Sequence, residues 1–364
     1  MFLALKSSLL LSGFYPRRPS QRRVQGMPKA TQSGAAAAEP AGLQGSYVQT
    51  NLGLVGRLNE FRNLFRIWGR HATTNRIRHD LEDVRAHELE ISALLGAPVA
   101  GLRLLEIGPG QQLTQLAYFG TKNDVVGIDL DVIMQRLDLR SCLRTLKQNG
   151  WLRTCKTVGR KLARIDAHAR KELASQLGQA VPNLRVLQMD ATKMFFPDNH
   201  FDVVFSLCTF EHLPNPAAVV SEIRRVLKPG GVMFIGLHLF TCDSGCHDLR
   251  ILAGQRGDLP YWAHLRPEHE RKIRPNSYVN RLRLAHWVRI FQSNMPGCRV
   301  EAVCCDTSEL SRLELSKLRS QGELMDYSDD ELLAYGVNAV WRKPPQDKSQ
   351  RLDLRALAKD LSET

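Results

Sequence analysis

The chain has 364 residues, 43% of them hydrophobic and 24% charged, a balance that suits a soluble globular protein with a substantial core. No run approaches the roughly 18 uncharged apolar residues of a membrane-spanning helix, so no transmembrane segment is expected. A formal net charge of +13 favours an anionic partner without choosing among nucleic acid, a lipid surface and an acidic small molecule, and the 8 irregularly spaced cysteines predict reduced thiols in a cytoplasmic protein rather than a disulfide scaffold.

The first 38 residues contain no Asp or Glu but carry Lys6, Arg17, Arg18, Arg22, Arg23 and Lys29. They read as a disordered basic tail of residues 1–45, with a transit peptide and a start at Met27 as the other readings. From Leu58 the apolar residues take helical spacing. Phe61, Leu64, Phe65 and Trp68 share one face, and Ile77, Leu81, Val84, Ile91 and Leu95 continue it, which predicts two amphipathic helices. Seven short β-type runs then alternate with helical stretches, at 102–107, 124–129, 185–189, 201–206, 232–237, 299–304 and 337–341. That alternation implies a mostly parallel sheet covered on both faces, within a domain spanning 46–345. A charged tail of residues 346–364 follows.

The interval between the second and third strands is too long for one crossover. Residues 132–178 read as a helical insertion holding eleven Lys or Arg against three Asp or Glu. Arg136, Arg140, Arg144 and Lys147 align at helical spacing, as do Arg153, Lys156, Arg160 and Arg164. Two readings stand equally: a basic cap that attracts an anionic acceptor, and an ordinary solvated face.

"LRLLEIGPGQQL" places Glu106 on an apolar strand, then Gly108 and Gly110 in a tight turn, then helix from about Gln112. A dinucleotide fingerprint would put a third glycine at position 113, where Leu113 stands, which argues against NAD. "DVVGIDLD" ends a second buried strand at Asp129, placed to accept hydrogen bonds from two ribose hydroxyls, with Asp131 as the competing choice.

Glu106, the Gly108–Gly110 turn, Asp129, "MDATKMFFPDNHFDVVFSLCTFEHL" and "EIRRVLKPGG" together resemble the successive motifs of class I S-adenosylmethionine-dependent methyltransferases, in particular the small-molecule branch called type 11. The resemblance runs from about Leu102 to Leu237. It implies an α/β fold, a Rossmann-like seven-stranded mostly parallel sheet with a helical N-terminal extension and the insertion between strands 2 and 3, its last strand antiparallel beside the fifth. It also implies S-adenosyl-L-methionine as cofactor. Glu106, Gly108 and Gly110 would hold the amino acid portion, Asp129 with Leu130 the ribose, Asp190 and Ala191 the adenine, and Leu207 and Cys208 the floor. Gln112 departs from the family's third glycine and would contact or crowd the methionine carboxylate. Pro229 is expected to stop a helix, and Gly230 and Gly231 to turn into the fifth strand.

A hydroxyl acceptor would need a base, and histidine suits neutral pH. His212, beside Glu211, and His238 follow the fourth and fifth strands at the end where α/β sheets bind ligands, and His247 and His264 come after them. His212 and His238 are the catalytic candidates, with a structural role the bland alternative for each. Residues 239–296 are expected to form the acceptor site. Tyr278, Asn280 and Arg281 offer hydrogen bonds there, with capping and packing as the plainer role, and Leu282, His286, Trp287 and Arg289 suggest an amphipathic helix. Cys242, Cys246 and His247 have no second ligand pair at zinc spacing and read as loop residues, so no metal is expected. The expected function is methyl transfer to oxygen or nitrogen of a small-molecule or glycan-like acceptor. An RNA methyltransferase and a non-catalytic binding protein are the alternatives, and the oligomeric state stays open.

Overall fold

The computed structural model describes residues 70–304 and 308–345. The readings for residues 1–45, for Phe61 to Trp68 and for the 346–364 tail lie outside these described residues. What the pattern predicts as the second amphipathic helix is the 26-residue α1, Arg70–Leu95, which turns Ile77, Leu81, Val84 and Ile91 into the interior.

Seven strands form one sheet: β1 (Arg103–Ile107), β2 (Asp124–Asp129), β3 (Arg185–Gln188), β4 (Phe201–Leu207), β5 (Leu227–His238), β6 (Arg299–Cys304) and β7 (Ala334–Arg342). Their spatial order is β3-β2-β1-β4-β5-β7-β6. β1 to β5 pair in parallel, and β7 lies antiparallel between β5 and β6. This is the α/β sheet expected of a class I methyltransferase. The strand order reverses between β1 and β4, which opens a crevice at their C-terminal ends, the position where such sheets take ligands.

Side-chain alternation along each strand divides the core between the two faces. Leu104, Val203, Phe205, Val232 and Phe234 pack on one side with Val84 and Ile91 of α1 and with Phe119 of α2 (Thr114–Gly120). Leu105, Ile107, Val204, Met233 and Ile235 pack on the other with Val219, Val220 and Ile223, and with Trp287 and Phe291 further along the chain. Both faces are covered, so the strands are apolar runs rather than clean alternations.

The insertion after β2 consists of α3 (Leu139–Asn149), α4 (Trp151–Leu162) and α5 (Ile165–Leu177). Asp138 caps α3 by accepting from the Ser141 N–H at 2.8 Å. α5 packs on α1 through Ala169 and Leu173. Leu139, Leu143, Leu146 and Trp151 of α3 and α4 remain exposed beside Arg140, Arg144 and Lys147.

Three local expectations change. The glycine turn leads into α2 only at Thr114, because Leu113 takes a left-handed φ of 58° at the position before it. After α6 (Pro216–Val226) the chain is already extended at Leu227, so the helix ends before Pro229. Lys228 to Gly231 then form an irregularity within β5, where the pairing with β4 shifts, instead of a turn preceding the strand. Finally, Leu282 precedes α7 (Leu284–Asn294), on which Trp287 is buried while His286 and Arg289 face solvent. α8 (Glu309–Ser320) and the Ser328-capped α9 (Asp329–Leu333) lead into β7.

Candidate functional site

The crevice is built first from the β1 end. Glu106 is 1% exposed on the strand and its Oε2 has no hydrogen-bond partner. Burial pushes its carboxyl up to about 8, and the charge of Asp129 adds to the shift. Gly108 has φ 69° and its N–H donates to the Ile128 carbonyl at 2.8 Å, tying the turn to β2. A Cβ on Gly108 would land inside the Thr209 side chain, so only glycine fits, whereas Gly110 faces open space. Thr209 in turn donates to the Gly108 carbonyl at 3.1 Å, and Ser206 donates to the Ile107 carbonyl at 2.7 Å. These bonds hold the ends of β1 and β4 at a fixed separation.

Asp129 ends β2 and accepts from the Asp131 N–H at 2.8 Å. Burial raises its carboxyl to about 6; the Asp131 amide opposes this, the Asp131 charge reinforces it, and Arg153 opposes it. The choice between Asp129 and Asp131 has a geometric basis, because Asp131 is buried in an ion pair with Arg153 of the insertion. The Met189 N–H donates to the Asp129 carbonyl at 2.9 Å, which brings Asp190 to the same edge. Asp190 accepts from the Thr192 N–H and hydroxyl, each at 2.8 Å, and Ala191 packs on the core. The segment after it is fastened by Arg225, which donates to the carbonyls of Met194 and Phe196 and pairs with Asp198. Leu130 is exposed, while Leu207 and Cys208 are partly buried at the β4 end. Cys208 has φ 52° and its N–H bonds the Gly236 carbonyl at 2.8 Å.

The two glutamines after the turn each have a protein partner. Gln112 accepts from Arg76 Nε of α1 at 3.1 Å, and Gln111 accepts from Arg160 of α4 at 3.1 Å. Gln112 therefore ties the turn to α1. Of the basic array, Arg153 and Arg160 are paired to Asp131 and Asp166 and lean on the site, whereas Arg140, Arg144 and Lys147 are exposed. No motif announced Arg76, and the roles of Gln111, Arg160 and Thr209 are not legible in the motifs that contain them.

The β4 and β5 ends contribute a second group. His212 Nδ1 lies 2.6 Å from the Tyr278 carbonyl. A carbonyl can only accept, so Nδ1 carries the proton and Nε2 keeps its lone pair. Burial lowers the basicity of His212, and the Tyr278 carbonyl partly restores it. His238 is buried. Its Nδ1 faces His247 Nε2 at 2.8 Å and its Nε2 faces Ser244 Oγ and Cys242 Sγ, each at 3.1 Å. Burial, with the neighbouring His212 and His264, pushes His238 down to about 3, which suits it poorly to take a proton near neutrality. Glu211 is also buried, with neither carboxylate oxygen in a well-formed hydrogen bond, and burial raises it to about 8 against the opposing backbone amides of Glu211 and His238. One donor atom from each of Glu211, His238 and His247 lies within 4.8 Å of the others.

A cavity of about 470 Å³ opens in the 239–296 region, lined among others by Cys246, His264, Arg271, Ser277, Tyr278 and Arg281. His264 Nε2 is bonded to the Phe240 carbonyl at 2.8 Å, leaving Nδ1 unpartnered. Arg281 lies in this lining and pairs with Glu270 at 2.9 Å. Asn280 is spent elsewhere: its side chain donates to the Phe210 and Leu213 carbonyls at 2.8 and 3.1 Å and clamps the turn that carries Glu211 and His212.

Residues 151–235 match the protein-family model described as Methyltransferase domain. A sterol 24-C-methyltransferase of Gibberella zeae is 41% identical over 81 residues, 22% of this chain and 20% of that protein. A phosphatidylethanolamine N-methyltransferase of Cereibacter sphaeroides is 39% identical over 79 residues, 22% of this chain and 37% of that protein. The chain thus spans roughly a fifth to two fifths of the length of these curated relatives. Among solved structures, a phosphoethanolamine N-methyltransferase of Haemonchus contortus in complex with S-adenosyl-L-methionine is 18% identical, with 72% of this chain and 53% of that one aligned at a TM-score of 0.39. The family match includes Asp190 to His212 but not the glycine turn or Asp129, whose placement rests on the geometry above.

Proposed function

We propose that this chain, a class I methyltransferase by its sheet and its family match, transfers the methyl group of S-adenosylmethionine to an oxygen or nitrogen of a small-molecule or glycan-like acceptor. The observation that carries the reading is Glu106, a buried carboxylate with an unpartnered oxygen beside Asp129 at the crevice between β1 and β4. Leaving such a group uncompensated costs several kcal/mol when it is ionised. A ligand bearing an ammonium and a sulfonium, with a ribose diol, meets both carboxylates. The residues therefore fit the cofactor: Glu106 and the Gly108–Gly110 turn for the amino acid end, Asp129 and Leu130 for the ribose, Asp190 and Ala191 for the adenine, Leu207 and Cys208 beneath. When bound, it supplies a methyl group on an already activated leaving group, so alignment of the acceptor is the protein's main task.

His212 is assigned as the base, its Nδ1–H held by Tyr278 and its Nε2 free to take the acceptor's proton. His238, the other candidate, is assigned a supporting role because both ring nitrogens are engaged. The cavity with Arg271, Arg281 and His264 is the acceptor pocket; Glu270 in the same lining pairs with Arg281, so Arg271 is the group that favours an acceptor with an anionic group. The matched relatives are named for sterol and phospholipid acceptors, which supports a small molecule over RNA. Among the described residues 6 cysteines are free and no helix is long and apolar enough to cross a membrane.

Calorimetry with S-adenosylmethionine tests the cofactor, and transfer of labelled methyl into fractionated cell extract tests the acceptor. Label is expected in the small-metabolite or glycan fraction. Label in RNA would overturn the acceptor class, and no cofactor binding by the native protein would sink the activity.

A further inference from the structure

Three successive segments converge on one buried set of donors: Glu211 from the turn after β4, His238 from the end of β5, and His247 from the loop beyond. We propose that Glu211, His238 and His247 bind one divalent transition-metal ion as a two-histidine, one-carboxylate site that leaves coordination positions open for an oxygen of the acceptor.

The donor atoms already lie within 4.8 Å of one another. His238 Nδ1 and His247 Nε2, 2.8 Å apart, share a proton in the free protein. Around a first-row ion donors stand roughly 3–3.5 Å apart, so binding releases that proton and spreads the pair slightly around the ion. Independently of that spacing, neither Glu211 oxygen has a well-formed hydrogen bond, in a residue only 1% exposed. The backbone amides of Glu211 and His238 offset the cost of an ionised carboxylate there only in part, since burial outweighs them, and a cation would supply the rest. Ser244 and Cys242 flank the second nitrogen of His238, the outer contact that fixes a liganding imidazole.

The loop is shaped for this purpose. His247 holds a left-handed φ of 54°, a conformation that is uncommon outside glycine and concentrates at functional sites. Gly245 lies so close to the Leu239 and Phe240 backbone that a Cβ would collide with it, and the 242–247 segment folds back through Gly245 N–H to Cys242 O and His247 N–H to Ser244 O. These contacts return His247 to the ring of His238.

Three protein ligands, one of them anionic, describe a site with room for substrate rather than a closed structural site. The neighbourhood agrees: the His212 ring is 4.8 Å from that of His247, its partner Tyr278 lines the acceptor cavity, and so does Cys246. The ion would hold the acceptor oxygen beside His212. This role rests on the methyl-transfer reading, whereas ion binding itself does not.

The test uses the full chain, stripped with chelator, desalted and titrated by calorimetry with Zn²⁺ and separately with Mn²⁺ in the absence of S-adenosylmethionine. One equivalent of at least one ion is expected to bind and to raise the Tm. Glu211→Gln and His247→Ala are expected to weaken binding about 100-fold or more and to lose the Tm rise. Glu211→Gln, nearly isosteric, decides the matter if His247→Ala does not fold. Absence of binding by the native protein overturns the proposal. So does binding that survives Glu211→Gln but disappears in the Cys242→Ser, Cys246→Ser double variant, which would move the ion to the thiols. A cofactor titration on the same preparation reports the methyltransferase reading separately.

Discussion

The two halves of the crevice are made differently. The half at the β1 and β2 ends draws on short stretches, each a strand and the turn that follows it, and backbone bonds such as Gly108 N–H to Ile128 O tie them together. The half at the β4 and β5 ends is assembled from Glu211 and His212, from His238, and from the loop carrying His247 and His264, with Asn280 clamping the turn from another segment. The first holds two carboxyls, the buried Glu106 and Asp129, whose charge is close enough to raise Glu106. The second holds mostly neutral imidazoles around a carboxyl. A cofactor of constant shape can be met by a local, repeated device, whereas an acceptor site is composed from insertions on the same sheet.

If that division is right, substitutions in one half leave the other's ligand untouched. The largest effect is expected at Asp129→Ala. Losing two charge-assisted bonds at about 1.5–3 kcal/mol each weakens S-adenosylmethionine by roughly 10²- to 10⁴-fold in calorimetry. A loss below 10-fold would move the ribose elsewhere. His212→Asn keeps a donor toward the Tyr278 carbonyl but removes the base, so kcat should fall by about 10²- to 10⁴-fold with cofactor affinity unchanged. An equal loss in cofactor affinity would merge the two halves.

The pH response should be smaller and belongs to the cofactor half. Glu106 at about 8 and Asp129 at about 6 are protonated below those values in the free protein, and a cationic ligand prefers them ionised. S-adenosylmethionine affinity should therefore rise with pH through this window, by up to about 10-fold per unit below pH 8. The stability of the free protein has the opposite sign. A carboxyl raised on folding binds its proton more tightly in the folded state, so its contribution is present below the unfolded value of about 4.5 and is lost as pH rises toward 8. Glu106→Gln should flatten both slopes, in calorimetry and in Tm against pH. The smallest effect is expected at Gln112→Ala, under about 3-fold on cofactor affinity, since that side chain is bonded to Arg76 of α1. A large loss there would return Gln112 to the ligand.

Much of the cofactor half is readable along the chain because each element is local: an apolar run, an acid at its end, glycines where the backbone must turn left-handed. Leu113 is instructive. Its occupation of the third glycine's place argues against a dinucleotide, yet the backbone there is left-handed all the same, held by burial of the leucine. The second half was only partly readable. Individual histidines stand out, but no spacing pairs Glu211 with His247 or ranks His212 above His238, because those relations depend on burial and on which carbonyl a ring nitrogen meets. The basic insertion was legible as helix and charge. That Arg153 and Arg160 are consumed by Asp131, Asp166 and Gln111, while Arg140 and Arg144 are not, depends on how the helices lie against the glycine turn.

The sequence by itself determined the strands and the carboxylates at their ends, since apolar runs and turn chemistry act over a few residues. The tertiary structure alone decided which polar groups are deprived of partners. Glu106 and Glu211 are ordinary acids in the chain; their carboxyls rise to about 8 only because the sheet and its loops close over them and remove water.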